Sequence, residues 1–542
     1  MDKPSNKDIV AGIKLLGDLL ELHGENSFKV RSYQNAYSTL KKIGEPISDM
    51  TEAELSALPG MGKSILATLR EIVETSTTTA LEALKDKTPT GVIEMFKVKG
   101  IGPKRIETLW KQLGITDVSQ LINECHENRL SKAKGFGLKT QLDILNRATL
   151  YLNSKGSMLY AEVLPLVTEL KATLDNGGMA GKYFFTGAFS RMTQVISEIE
   201  LVCTKKDWNP PQELNLVSHL DDTFHYTFKD SVQLIVKLVR DNAAENAFIH
   251  SFVPEVLEKL NLQEEKINGN DEREYFKSVG LPYVIPELRW TERCLEYPEN
   301  ELLCEKDLLG IVHCHTTASD GINTLEEMCS ATKQAGYHYL GISDHSRSAG
   351  YAGGLDEDRI AMQQYEIAVL QAKMGEFKIL SSVESDILTS GELDYSNDVL
   401  ATFDFVIGSI HSVLNMDIEK ATVRLIKAIE NPYLHILGHM TGRLLLTRNG
   451  YPLHIEKILD ACAANKVVVE LNANPRRLDI DYTLISSAVD RGIMISINPD
   501  AHSISGLSDV KYGVIAARAG GLLRNQTLNA LPVEQFLAKL KK

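Results

Sequence analysis

The sequence predicts a multidomain chain: an all-α N-terminal third, an α/β middle with a helical extension, and a C-terminal (β/α)7 barrel. Three observations predict it. Apolar residues recur at helical spacing through the first 155 residues, as in Val10, Ile13, Leu16, Leu20 and later Leu40 and Ile43. Strand-like runs first occur after residue 156, in Tyr183-Phe184-Phe185 and Val232–Val239. From Leu308 onward, seven short apolar runs alternate with amphipathic helical stretches such as Thr324–Ala335 and Asp358–Lys373, which implies a parallel sheet.

A length of 542 residues exceeds one hydrophobic core and predicts three or four domains. Apolar (43%) and charged (24%) contents are those of soluble globular protein. The longest apolar runs are too short for a membrane span, and Met1-Asp2-Lys3-Pro4-Ser5-Asn6-Lys7-Asp8 lacks a signal-peptide core, so no membrane partner is expected. Seven cysteines without a CxxC pair point to a reducing cytoplasm and away from zinc fingers. The net charge of −14 is uneven: residues 1–150 hold 21 Lys+Arg against 19 Asp+Glu, leaving 37 against 53 for the rest. An acidic C-terminal part can still act on phosphates when bound cations supply the local positive charge.

In the helical third, one pattern occurs three times: Gly60-Met61-Gly62-Lys63, Gly100-Ile101-Gly102-Pro103-Lys104 and Lys134-Gly135-Phe136-Gly137-Leu138-Lys139. Glycine permits positive φ and close backbone approach, and the free N–H groups at the next helix start can hold a phosphate. The apolar residue between the glycines would pin the hairpin to the core. A single copy could merely turn one helix into another; three copies, each with a Lys, favour contact with DNA. The pattern resembles the helix-hairpin-helix, which binds the DNA backbone without reading sequence. Gly60, Gly62, Lys63, Gly100, Gly102, Lys104, Gly135, Gly137 and Lys139 are therefore the expected DNA contacts.

Asn26-Ser27-Phe28-Lys29-Val30-Arg31-Ser32-Tyr33, together with the first two hairpins, resembles the start of a family X DNA polymerase. That resemblance implies a lyase-like helical domain (1–85), a helical fingers-like subdomain (86–155) and a palm and thumb (156–295). The family's imine-forming Lys aligns with Thr68, which cannot form an imine; Lys63 is the nearest amine. Family X palms bind two Mg²⁺ through an Asp-x-Asp pair and a third Asp on a neighbouring strand. Here Phe185-Thr186-Gly187-Ala188-Phe189-Ser190-Arg191 keeps the glycine of the Gly-Ser motif and one Arg. The paired carboxylates become Glu198 and Glu200, and the third position, in Ser231–Val236, becomes Gln233. The palm fold is expected with a degenerate site: weak Mg²⁺ binding and weak or absent polymerisation. Residues 241–290 read as helical and polar, and Gly280–Leu288 resembles the end of the family's thumb.

The last 240 or so residues place candidate metal ligands where strands should end. The run Leu308–Val312 leads to His313 and His315, with Asp320 close behind. Tyr339–Ser343 leads to Asp344 and His345, Lys378–Val383 to Glu384, Phe403–Ile410 to His411, and His435–Gly438 to His439. Val467–Leu471 leads to Asn472 and Asn474, and Ile493–Ile497 to Asp500 and His502. Functional groups at C-terminal strand ends are the habit of (β/α) barrels. A lone His is more often structural than a ligand, but six of the nine histidines after residue 300 fall at strand ends. The exceptions are His338, His435 and His454, and His435, which begins a strand, is expected to be structural. His suits Zn, Mn and Fe, while Asp and Glu can bridge two ions.

This part (300–542) resembles the PHP (polymerase and histidinol phosphatase) family, and every ligand position of the family's trinuclear pattern that can be placed is filled. The resemblance implies a PHP-type barrel holding two or three divalent ions (Zn, Mn or Fe) and hydrolysing phosphoesters. Ligands cannot be assigned to individual ions from sequence. Asp344 and Arg443 are the expected catalytic supports, Asp344 by orienting a ligand and Arg443 by meeting a phosphate. The whole chain resembles a bacterial family X polymerase fused to a PHP domain. The expected activity is 3′-to-5′ exonuclease or 3′-end processing in DNA repair, by a cytoplasmic monomer acting on gapped or 3′-end DNA without sequence preference. Two alternatives stay open: a gap-filling polymerase using Glu198 and Glu200, and a phosphatase for small phosphomonoesters.

Overall fold

The computed structural model describes residues 4–133, 135–229, 232–262 and 272–542. Met1, Asp2, Lys3, Lys134 and Ser231 from the motifs above lie outside the described residues. The chain divides into two compact units, Met1–Lys155 and Gly156–Lys542. No helix among the described residues is long and apolar enough to cross a membrane.

The first unit is helical throughout its described residues. Its three glycine hairpins share one construction. Gly60, Gly100 and Gly135 take φ of +83°, +85° and +92°, which a side chain would resist. Met61, Ile101 and Phe136 are buried in the unit's core. Burying an apolar side chain of this size stabilises by roughly 1.5–3 kcal/mol, enough to fix each turn. Gly62, Gly102 and Gly137 then cap the helices Lys63–Thr75, Pro103–Glu107 and Leu138–Ser154 without any side-chain cap. The helices at Lys63 and Leu138 thereby have no side-chain acceptor on their first-turn N–H groups, whereas Pro103 has no N–H and Arg105 N donates to the Gly102 carbonyl at 3.0 Å.

The second unit starts with the strands β1 (Met158–Leu159), β2 (Tyr183–Thr186), β3 (Val195–Ile196), β4 (Ile199–Thr204), β5 (Leu214–Leu220), β6 (Thr223–Phe228) and β7 (Val232–Val239). β1 and β3 form a short ribbon, and the others form one sheet in the order β2-β4-β7-β6-β5. Beyond it, the stretch read from sequence as polar helices is built around an apolar centre. Phe248, Phe252, Tyr275 and Phe276 pack in mutual edge contacts, with Phe248 and Phe252 each 5.0 Å from the buried Arg289 guanidinium. Only the outward faces of those helices are polar, and pooling both faces in a composition reading hid the core.

Seven parallel strands follow: β8 (Gly310–Ile311), β9 (Tyr339–Ile342), β10 (Lys378–Asp386), β11 (Phe405–Ser409), β12 (Ile436–Leu437), β13 (Val468–Asn472) and β14 (Ile495–Asn498), hydrogen-bonded in sequence order. An isolated parallel bridge between Cys314 and Ala501 links the segments that leave β8 and β14, so the barrel is nearly closed. The strands are almost wholly buried, because helices cover a sheet whose apolar runs need shielding on both faces. Three strands extend further at their C-terminal ends than their apolar runs, with Asn498 closing β14. Glu384 lies inside β10, and Asn472 ends β13, so both are fixed by ladder hydrogen bonds rather than carried on loops.

Candidate metal centre

The mouth of the barrel gathers the nine ligand candidates. His313 and His315 leave β8 in extended backbone, so both imidazoles fall on one side, and both are fully buried. Three sets of residues bring potential ligand atoms within 4.8 Å of one another: His315, Asp320, His345 and His502; His313, His315, Glu384 and Asp500; and His345, Glu384 and His411. His439 joins them, with Nε2 3.0 Å from Glu384 Oε1 and 3.3 Å from His411 Nε2. Glu384 is the shared element. Its Oε2 lies 3.4 Å from His313 Nε2 and 3.1 Å from His345 Nδ1, and its Oε1 3.2 Å from His411 Nε2.

The donor set fits cations. His313 Nε2, His345 Nδ1 and Glu384 Oε2 are buried, face one another, and make no hydrogen bond. Buried polar atoms that converge with no hydrogen bond among them cost free energy unless an ion fills the gap. The imidazoles are also held from behind. His313 Nδ1 lies 2.7 Å from Glu470 Oε1, His411 Nδ1 2.5 Å from Asp386 Oδ1, and His502 Nδ1 2.9 Å from the Asp500 carbonyl. Each contact places the proton on Nδ1 and leaves Nε2 as the ligand atom.

Electrostatics tie the carboxylates and imidazoles together: burial would lower the His411 and His502 imidazoles, but Glu384 and Asp386 push His411 up to about 10, and Asp320 and Asp500 push His502 up to about 9. Burial alone would raise the Glu384 carboxyl, but His411, His313 and His345 hold it well below its ordinary value. Asp500 behaves likewise, with burial overcome by His313, His315 and His502. Burial together with the neighbouring His502 and His345 drives the His315 imidazole down to about 3, which keeps it neutral and able to donate a lone pair.

Arg443 does not stand at the mouth, and Asp344 acts from behind the turn that carries Asp320. Asp344 is buried and accepts from Thr316 N (2.8 Å), Thr316 Oγ1 (2.7 Å), Ser319 Oγ (2.5 Å) and Gln363 Nε2 (2.6 Å). It clamps the turn that carries Asp320 and touches no ligand, because those four donors saturate its oxygens. Arg443 donates to the Arg477 carbonyl (2.9 Å), the Leu478 carbonyl, Asp481 and Gln194 Oε1 (3.0 Å). It ties the loop after β13 to Gln194, with four of its five N–H groups engaged there.

The arginine at the mouth is Arg477, with Nε 3.4 Å from Asp500 Oδ2. Sequence reasoning missed it, along with Glu470 and Asp386. The last two were findable, since each lies two residues from a chosen strand residue, Asn472 or Glu384, and so shares its face. Arg477 carries no such signal because its loop has no period. Asn472 Nδ2 reaches Asp500 Oδ2 at 3.1 Å, whereas Asn474 accepts the Arg476 N–H and shapes the turn.

Elsewhere the sequence-derived positions are less complete. Lys63, Lys104 and Lys139 are exposed beside their hairpins. Thr68 is buried, with Oγ1 3.0 Å from both Tyr33 Oη and the Ser64 carbonyl, and presents no amine. Glu200 and Gln233 share one face of the sheet, since Glu200 on β4 pairs with Ile235 on β7. Glu198 and Gln233 are exposed. The half-buried Glu200 carboxylate accepts the Ala188 N–H and lies so close over Gly187 that a Cβ there would collide with it.

Comparison with known proteins follows this division. Residues 4–78 match the helix-hairpin-helix domain family, 92–148 the SAM-like helix-hairpin-helix tandem family, and 312–474 the PHP domain family. Over 99% of both chains, the sequence is 29% identical to the DNA polymerase/3′-5′ exonuclease PolX of Bacillus subtilis. The chain is a homologue of the bacterial family X DNA polymerase/3′-5′ exonucleases with a C-terminal PHP domain. Its C-terminal part is also 27% identical to a probable phosphatase of Thermoanaerobacter sp., covering 40% of this chain and 88% of that protein. A probable phosphatase of Caldicellulosiruptor bescii is 27% identical over 35% of this chain and 78% of its own. Its relatives are enzymes, and His313, His315, His345, Glu384 and His411 of the clusters lie in the segment that matches the metal-dependent PHP family, while Asp500 and His502 follow it.

Proposed function

We propose that the chain is a DNA 3′-end-processing phosphoesterase, a 3′-to-5′ exonuclease whose chemistry resides in the barrel mouth. The observation that carries this reading is the convergence of orphaned buried ligand atoms on Glu384. His313, His315, Asp320, His345, Glu384, His411, His439, Asp500 and His502 would hold two or three divalent ions, Zn, Mn or Fe. When bound, such ions polarise a phosphoryl oxygen and lower the pKa of water. The chain's own residues then have distinct tasks. Glu470, Asp386 and the Asp500 carbonyl hold the imidazoles in the ligating tautomer. Asp344 fixes the Asp320 turn. Arg477 can meet a non-bridging phosphate oxygen, since its guanidinium is held at the mouth through Nε alone among the described contacts.

In this reading, residues 1–85 and 86–155 grip the DNA backbone through Gly60, Gly62, Lys63, Gly100, Gly102, Lys104, Gly135, Gly137 and Lys139. Residues 156–295 form a palm and thumb with weak or no polymerisation, because Gln233 supplies no charge and Glu200 is turned onto the Gly187 backbone. Residues 300–542 form the hydrolase. The enzyme works as a cytoplasmic monomer on gapped or 3′-ended DNA without sequence preference. The resemblance to the probable phosphatases keeps a second reading open, hydrolysis of small phosphomonoesters.

A single substrate comparison separates the two. The full chain, loaded with Mn²⁺, is given 5′-labelled primer–template DNA and, separately, p-nitrophenyl phosphate. Stepwise shortening of the primer that stops on chelation supports the nuclease. Rapid p-nitrophenol release with intact primer termini would overturn it.

A further inference from the structure

Tyr351 is 72% exposed, yet its ring centroid lies 6.2 Å from that of the ligand candidate His345. Asp386, Glu384, Asp320 and Arg477 all act electrostatically on its hydroxyl. The ring therefore stands at the edge of the metal centre with a face open to solvent.

Its loop is braced. Ser346 and Leu355 pair across its base, and Leu355 N donates to the His345 carbonyl at 2.9 Å. Gly354 packs so tightly on the Ser346 carbonyl that no Cβ would fit. Ser348 N donates to Asp394 at 2.6 Å, and Ser348 Oγ to Asp386 at 2.9 Å. Arg347 N donates to Tyr395 Oη at 3.0 Å, and Arg359 to the Gly353 carbonyl at 2.8 Å. A large aromatic held open on a fixed loop has lost the stabilisation of burial and has already lost the freedom that binding would cost. That is the construction of a stacking platform. Every nucleobase offers a π-face, so stacking discriminates nucleic acid from a bare phosphate ester without reading sequence.

We propose that Tyr351 stacks on the nucleobase at the 3′ end of a DNA strand and so gives the site its preference for nucleic-acid termini over small phosphate esters. This rests on the nuclease reading above. Asp386 serves two ends of the arrangement, holding His411 by one oxygen and the Tyr351 loop, through Ser348, by the other.

The test uses the full-length holoenzyme and an oligonucleotide with 2-aminopurine at its 3′ terminus and a phosphorothioate terminal linkage to slow cleavage. Stacking quenches 2-aminopurine. Tyr351→Phe should keep the quench seen with the natural sequence, and Tyr351→Ala should lose it. On ordinary DNA, Tyr351→Ala should raise KM about tenfold with kcat within about twofold, in line with the usual worth of one base–aromatic stack. An unchanged quench and an unchanged KM in Tyr351→Ala would overturn the proposal while leaving the nuclease reading intact. If the natural sequence neither cleaves nor engages DNA termini, the nuclease reading fails and the role of Tyr351 falls with it.

Discussion

Glu470 Oε1 lies 2.7 Å from His313 Nδ1, and Glu470 Oε2 accepts the His439 backbone N–H at the same distance. One fully buried carboxylate thus orients two ligand candidates from opposite strands. In Glu470→Gln, an amide donor can face His313 Nδ1 and favour the tautomer with its proton on Nε2, the atom that faces Glu384. Metal affinity should fall roughly 10–100-fold, the usual effect of losing such a support. Titrating metal-free protein with Zn²⁺ or Mn²⁺ measures it, and an affinity equal to that of the natural sequence would remove Glu470 from this role.

Arg477 and Arg443 should separate activity from stability. Arg477→Ala should lower kcat/KM on DNA about tenfold or more, as loss of a charged hydrogen bond of about 1.5–3 kcal/mol implies, with an unchanged thermal midpoint. Arg443→Ala leaves Asp481 and two carbonyls short of a donor and should cost about 1–3 kcal/mol in urea unfolding. The opposite assignment, with Arg443→Ala inactive but fully stable, would restore Arg443 to the active site.

His435 provides a pH-dependent stability term at the other end of the barrel. Its Nδ1 accepts the Val406 N–H at 3.0 Å, which requires a neutral ring, and burial, with Lys542 nearby, lowers the imidazole to about 4. The folded value lies below the unfolded one, so this stabilisation is complete above about pH 6.5 and is lost as pH falls toward 4. The shift corresponds to about 3 kcal/mol across that window. In His435→Gln, the slope of unfolding free energy between those pH values should flatten. A slope identical to that of the natural sequence would place the acid sensitivity elsewhere.

Primer extension should be slow or undetectable, and Glu198→Gln should leave whatever remains unchanged. Family-like extension abolished by Glu198→Gln would mean that Glu198 and Glu200 still bind metal productively despite the neutral Gln233.

Much of this molecule was legible in its sequence because two strong periodicities coincide with special residues. Gly-apolar-Gly reads as a hairpin, since Met61, Ile101 and Phe136 must be buried and the first glycine of each pair must take positive φ. Apolar runs ending in His, Asp or Glu read as barrel strands, which is why Glu384 and the eight residues around it could be named before their geometry was known. What stayed hidden depends on side-chain direction. Arg443 and Arg477 are both plausible phosphate ligands by type, and only the hydrogen bonds to Asp481 and Gln194 show that Arg443 is already occupied. The aromatic cluster around Arg289 was concealed because polar residues on the outward helix faces dominate the local composition. Tyr351 gave no signal at all, as a loop residue has no period from which exposure can be inferred.

The most direct measurement is 3′-to-5′ digestion of 5′-labelled DNA by the Mn²⁺-loaded chain and its His313→Ala and His345→Ala variants, with folding verified by circular dichroism. We expect both variants to fold and both to lose digestion by at least about 100-fold, as removal of a direct metal ligand should exceed the 10–100-fold cost of losing a supporting residue. Digestion at the natural rate in both folded variants would contradict the assignment of the chemistry to the barrel mouth.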